Sequence, residues 1–114
     1  RVTSKTFWHD GTIESIEVTA PTRRRLGSIA VLLSLYPSEE SPSRRRFKLS
    51  CKDVSQFEIT ADAMELKDNA GAGNVEDGHV RRVGGQEEVV LRLVRGHLRI
   101  RARAIVLKVL RLRS

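Results

Sequence analysis

One cysteine, one tryptophan, one tyrosine and three prolines are all that 114 residues hold of these types. The lone Cys51 has no partner for an internal disulfide. Its plain reading is a small buried hydrophobe in a reducing compartment, which points to the cytoplasm. Three Phe, one Trp and one Tyr, with Phe47 and Phe57 expected to be buried, leave little material for the stacking platform that single-strand nucleic-acid binders use. No stretch approaches the roughly 18 uncharged apolar residues of a transmembrane helix, so no membrane association is expected. An N-terminal signal pattern is likewise missing. Around Gly71-Ala72-Gly73 the Gly-x-Gly-x-x-Gly spacing is absent, and no Gly-Lys-Ser or Gly-Lys-Thr follows, which disfavours a phosphate-cradling loop. The histidines His9, His79 and His97 are far apart and form no close metal-ligand pair. Neither a metal nor a cofactor is expected.

Basic charge, by contrast, is plentiful. The chain carries a net +7, from 21 basic and 14 acidic residues, and 16 of the basic ones are arginine. Guanidinium groups bind phosphate and carboxylate bidentately, though arginine enrichment also follows from codon bias. Distribution matters more than the total. From Arg92 onward there are eight basic residues and no acid, whereas Asp53 to Glu88 holds nine acids against three basic residues. Two such blocks can face each other across strands, where opposite charges contribute about 0.2–1 kcal/mol per pair.

Length and composition suit one domain with a single core. Its organising stretch is Gln86 to Arg113, which reads as a long β-hairpin. Val89 to Val94 is β-branched and apolar. From Leu98 onward, Ile100, Ala102, Ala104, Val106, Leu110 and Leu112 alternate onto one face. Arg95-Gly96-His97 joins the arms, with glycine expected to supply the positive φ of a tight reversal. The opposite face of the second arm runs Arg99, Arg101, Arg103, then Ile105, Leu107, Val109, then Arg111, Arg113. An apolar middle on the face that should be wet predicts cover there, from a second layer or a second copy.

Earlier segments are also strand-like. Residues 1 to 6 are polar and expected to fray. Thr12 to Ala20 is a strand in which Ile13 is out of phase with Ile16 and Val18, so a β-bulge is expected at Glu14-Ser15. Trp8 is expected to close one end of the core. Leu26 to Tyr36 has little polarity on either face and reads as a central strand. Pro37 to Ser43 is a polar loop. In Arg44 to Val54 the residues Phe47, Leu49 and Cys51 point inward, with Arg46, Lys48 and Lys52 outward. Asp53 to Met64 fits two patterns. Phe57, Ile59 and Ala61 alternate as a strand, while Val54, Phe57, Ala61 and Met64 fall at helical spacing behind an Asp53/Gln56 capping box. Strand is favoured, because Ile59 and Thr60 are poor helix formers. Lys67 to Gly78 reads as a long connection with Gly71, Gly73 and Asn74 in left-handed conformations, before a short strand from His79 to Val83.

Three functional readings follow from these residues. A binding or assembly module would use the apolar Ile105, Leu107 and Val109 as an interface rimmed by arginine, with self-association as the favoured outcome and another protein as the alternative partner. A nucleic-acid or other polyanion binder would use Arg44, Arg46 and Lys48 with Arg99, Arg101 and Arg103, provided the two strands share one face. A hydrolytic or metal-assisted centre would gather His9 and Asp10 with Asp68, Asn69 or Asp77. Cys51 as a nucleophile is disfavoured by its inward phase. The absence of catalytic motifs favours the non-enzymatic module.

The run Phe47-x-Leu49 with Asp53-Val54, the loop Leu66-Lys67-Asp68-Asn69 with Gly73-Asn74-Val75, and the ending Gly96-His97-Leu98-x-Ile100-x-Ala102-x-x-Ile105 resemble small uncharacterised bacterial all-β proteins. The likeness covers about half the chain and implies an antiparallel β-sandwich-like domain with no assigned activity. The residues and the resemblance lead to the same expected fold: all-β, six or seven antiparallel strands in a sandwich or flattened barrel, with one short helix near Asp53 to Met64 as an option.

Overall fold

The computed structural model describes residues 6–110. Over them the chain is all-β with one short helix: β1 (Thr12–Thr19), β2 (Gly27–Leu35), β3 (Arg45–Thr60), α1 (Ala63–Asp68), β4 (Val75–Val83), β5 (Gln86–Leu93) and β6 (Gly96–Val109). All six strands join one antiparallel sheet in the order β1-β2-β3-β6-β5-β4. Two three-stranded meanders, linked by α1, meet along their last and longest strands. The outermost strands touch through a single bridge, Gly11 to Val75. One sheet curling back on itself is the flattened-barrel alternative; two separate sheets are not formed. Among the described residues no helix is long and apolar enough to cross a membrane.

Period-two alternation builds the core as expected. Ile29, Val31, Leu33 and Leu35 of β2 are buried, together with Leu49 and Cys51 of β3, Val89, Leu91 and Leu93 of β5, and Leu98, Ile100 and Ala102 of β6. Each Val, Leu or Ile side chain among them contributes about 1.5–3 kcal/mol relative to an exposed one. Trp8 is buried over one end of this core. The bulge in β1 falls where the phase error placed it, with a register shift between Ile13 and Ser15.

The inward set of β6 does not stay on even positions. Leu98, Ile100 and Ala102 are buried, but the next core residue is Ile105, followed by the partly buried Leu107. Ala104 and Val106 are only half-buried. A change of phase at Arg103-Ala104 therefore explains the apolar odd positions. Ile105 is 1% exposed within the single chain, so the expected second layer or second copy is not needed to cover it. Leu112, Arg111 and Arg113 lie outside the described residues, as do residues 1–5.

β3 is one strand where the sequence suggested two. Its 16 residues include two bulges in one short stretch, one extra residue against each neighbour. Against β2, Cys51 to Val54 spans the same ladder as Ile29 to Gly27; against β6, Val54 and Gln56 flank an unmatched Ser55. Asp53 takes φ 55°, a left-handed angle that Asp and Asn tolerate better than most residues. The helix option near Asp53 to Met64 was misplaced: Asp62, not Asp53, is the N-cap, its carboxylate accepting from the amides of Met64 and Glu65.

Turn chemistry differs from expectation in two places. Between β5 and β6 it is Arg95 that takes positive φ, 60°, not Gly96. Gly96 is needed for another reason, because a Cβ there would collide with the Thr60 carbonyl on β3. In the connection before β4 only Gly73 is left-handed; Gly71 and Asn74 are not. Instead Asn74 is buried and ties four segments together. Its side chain accepts from Ile13 N (3.1 Å) and donates to Leu66 O (3.1 Å), while its carbonyl accepts from Val94 N (3.0 Å). β4 is accordingly longer than His79–Val83 and begins at Val75.

Candidate functional site

Register decides the fate of the basic residues. β3 and β6 are neighbours, yet antiparallel pairing sets Lys48 opposite Lys108 and Glu58 opposite Arg99. Arg44, Arg46 and Lys48 thus sit at one end of the ladder and Arg99, Arg101 and Arg103 at the other, Lys108 lying about 17 Å along the strand from Arg103. The two sets do not form one basic face.

Most of these cations are also engaged. Arg99 pairs with Glu58 (3.1 Å), Arg101 with Glu88 (2.9 Å) and Arg103 with Asp53 (2.6 Å). Arg92 reaches Glu76 and Arg95 reaches Glu65. Every acid here comes from the acidic middle block and every arginine from the basic end, so the two blocks do face each other. Arg46 pairs with Glu14 (2.9 Å). Arg44 donates to the carbonyls of Ala70 and Gly71 and lies over the Tyr36 ring. Lys48 is exposed.

The His9-Asp10 pair lies in an exposed turn. His9 Nδ1 contacts the Glu76 carbonyl at 2.9 Å, and Nε2 lies 3.5 Å from the Asp10 carboxylate. That carbonyl contact, then the Asp10 charge, raises the His9 pKa above 6.5. Among the described residues no three His, Cys, Asp or Glu side chains gather as a metal-binding group. Cys51 is buried, and burial, with the Glu87 charge adding, pushes its thiol up to about 12, far from a nucleophile's range.

A concavity lies elsewhere, in a place the sequence did not mark. β2 ends at Gly27, opposite Val54, and β3 continues without it through Thr60. Between this second half and the β1–β2 end lies a cleft of about 560 Å³. One wall is Val18, Pro21 and Gly27; the other is Val54, Phe57 and Glu58, with Arg99 at the rim. Phe57, expected to be buried, is 48% exposed, and Ile59 is 40% exposed, although their partners across the ladder, Ile100 and Leu98, are both fully buried.

This half of β3 also has a free backbone edge. Leu93 and Gly96 flank a two-residue turn and exchange hydrogen bonds, which directs the N–H and C=O of Leu98 and Ile100 to β5 and those of Arg99 to β3. Glu58, opposite Arg99, uses its backbone groups on β6. Alternation then turns those of Phe57 and Ile59 outward, to the side β2 has vacated. The β1–β2 turn, Arg23-Arg24-Arg25, extends from the same Gly27 end of β2, and in it the Thr22 hydroxyl accepts from the amides of Arg24 and Arg25. Among the described residues no carboxylate pairs with these three arginines.

Of the residues expected to form an interface, Ile105 is in the core, Leu107 packs against it, and Val109 is 43% exposed. The signal that would have pointed to the cleft is a length mismatch: strand pattern runs from Arg44 to Ala61, nearly twice the span available to its neighbour. No protein-family model, curated protein or solved structure matches the chain.

Proposed function

We propose that the chain is a non-enzymatic binding module that takes an extended polypeptide segment along the free edge of β3. The observation that carries this reading is the conjunction of outward-turned backbone groups at Phe57 and Ile59 with their exposed apolar side chains beside a cleft. An added strand would satisfy the backbone groups and place alternate side chains in the cleft. The sequence expectation of protein interaction is kept, while its surface moves from Ile105–Val109 to Phe57 and Ile59. A cytoplasmic setting and kinship with small bacterial all-β proteins belong to the same proposal, supported by the lone cysteine and the all-β fold. The arginine pairings weigh against a polyanion reading, since cations already held by carboxylates offer little to phosphate.

The test is an NMR titration of dilute protein with short synthetic peptides of alternating apolar and polar residues. Saturable shifts are expected at the amides of Phe57 and Ile59, with dissociation constants of about 1 mM or tighter, and loss of binding in Phe57→Asp. Peptides that move no amide of this edge would contradict the reading.

A further inference from the structure

We propose that the segment bound at this edge is the same edge of a second copy, paired antiparallel about a twofold axis. This deepens the reading above and rests on it. Length is the first argument. The free edge begins at Ser55, where β2 stops, and the strand itself ends at Thr60, where the chain turns toward α1. A strand entering beside Ser55–Thr60 must end before it meets Gly27, and β3 of a second copy ends there.

Register supplies the second argument. Backbone groups face the edge at odd positions, and Val54 is already held by Gly27, so the twofold ladder that fits is centred on Ile59: it sets Ile59 against the partner's Ile59 and Phe57 against the partner's Ala61. Glu58 then lies opposite the partner's Thr60, and no two carboxylates meet. Both exposed apolar side chains and the cleft beside them become covered in each copy.

Charge supplies the third. In this arrangement the partner's chain leaves its strand heading for the end of the edge marked by Gly27, the end of β2 from which the β1–β2 turn with Arg23–Arg25 extends. The first acidic side chain past its strand is the partner's Asp62, which is exposed and makes no ion pair among the described residues. By symmetry each arginine turn meets an acid, twice per dimer. Copies that each carry +7 repel overall, so this contact favours one orientation against that background.

Sedimentation equilibrium of the full chain from about 1 to about 100 μM tests the proposal. A reversible monomer–dimer equilibrium is expected. Ile59→Pro removes an edge N–H that no internal strand uses, and is expected to weaken the dimer at least about tenfold, or 1.4 kcal/mol. Phe57→Asp is expected to do the same, with circular dichroism confirming that both variants fold. Arg25→Asp lowers the net charge and would tighten a dimer limited by overall repulsion; here it is expected to loosen it, as is Asp62→Asn, which keeps a capping side chain. A dimer indifferent to Ile59→Pro and Phe57→Asp would overturn the proposal. So would a wild-type monomer across the series. If peptides still shift the edge amides of that monomer, the second copy is wrong and the binding reading stands; if they do not, both fall.

Discussion

Glu88 shows how much of this molecule depends on single charged side chains placed by register. It stands on the outer face of β5, opposite Arg81 in one ladder and Arg101 in the other, and is fully covered. Its carboxylate accepts from Arg81 Nε (2.8 Å) and Arg101 Nη2 (2.9 Å). Loss of hydration opposes its ionisation, but the hydrogen bonds and charges of the two arginines win and hold its pKa below 4.5. A lowered folded-state pKa means that the contribution is complete above the unfolded value and lost as pH falls through the folded one. Glu88→Gln should cost about 1–3 kcal/mol at neutral pH, and urea denaturation should show the difference from wild type shrinking in acid. Asn74 is the neutral counterpart. Asn74→Ala leaves Ile13 N and Leu66 O without their partner, so a loss of about 1–3 kcal/mol is expected by the same measurement. The charge blocks made arginine–acid pairing legible in the sequence. That Glu88 would serve two arginines at once was not, because it depends on two strand registers.

At the scale of elements, period two was a good guide wherever a strand keeps its phase. β2 and the first half of β3 follow the pattern residue by residue, and the β1 bulge was marked by its own phase error. Where a bulged strand and its neighbour change phase together the pattern misleads. Asp53 and Ser55 in β3, and Arg103-Ala104 in β6, shift the inward set, so Val106 was placed too deep and Ile105 too shallow. Phe57 was read as buried because an apolar residue in phase normally is; its exposure follows from where β2 ends, which β3 itself does not encode. Gly96 offers a sign test of the packing argument. At a compatible backbone angle Gly→Ala usually stabilises by about 0.4–1 kcal/mol, and Gly96 is not left-handed. Gly96→Ala is nonetheless expected to destabilise by more than about 1 kcal/mol, because the new Cβ meets the Thr60 carbonyl. Thermal melts would read the direction directly.

For the whole molecule, the arrangement of two meanders sets both strength and opportunity. Joining them through β3 and β6 puts the longest strands at the centre, and the outer strands meet at the Gly11–Val75 bridge. Because β3 outruns β2, that central joint keeps one edge open, and the account of function depends on this edge being free in one chain and filled by another. Site-resolved amide hydrogen exchange at low and high protein concentration tests it most directly. Gln56, Glu58 and Thr60, bonded to β6, should be protected at both concentrations, whereas Phe57 and Ile59 should exchange fast when dilute and slowly when concentrated. Equal protection of all five amides, unchanged by concentration, would contradict the account.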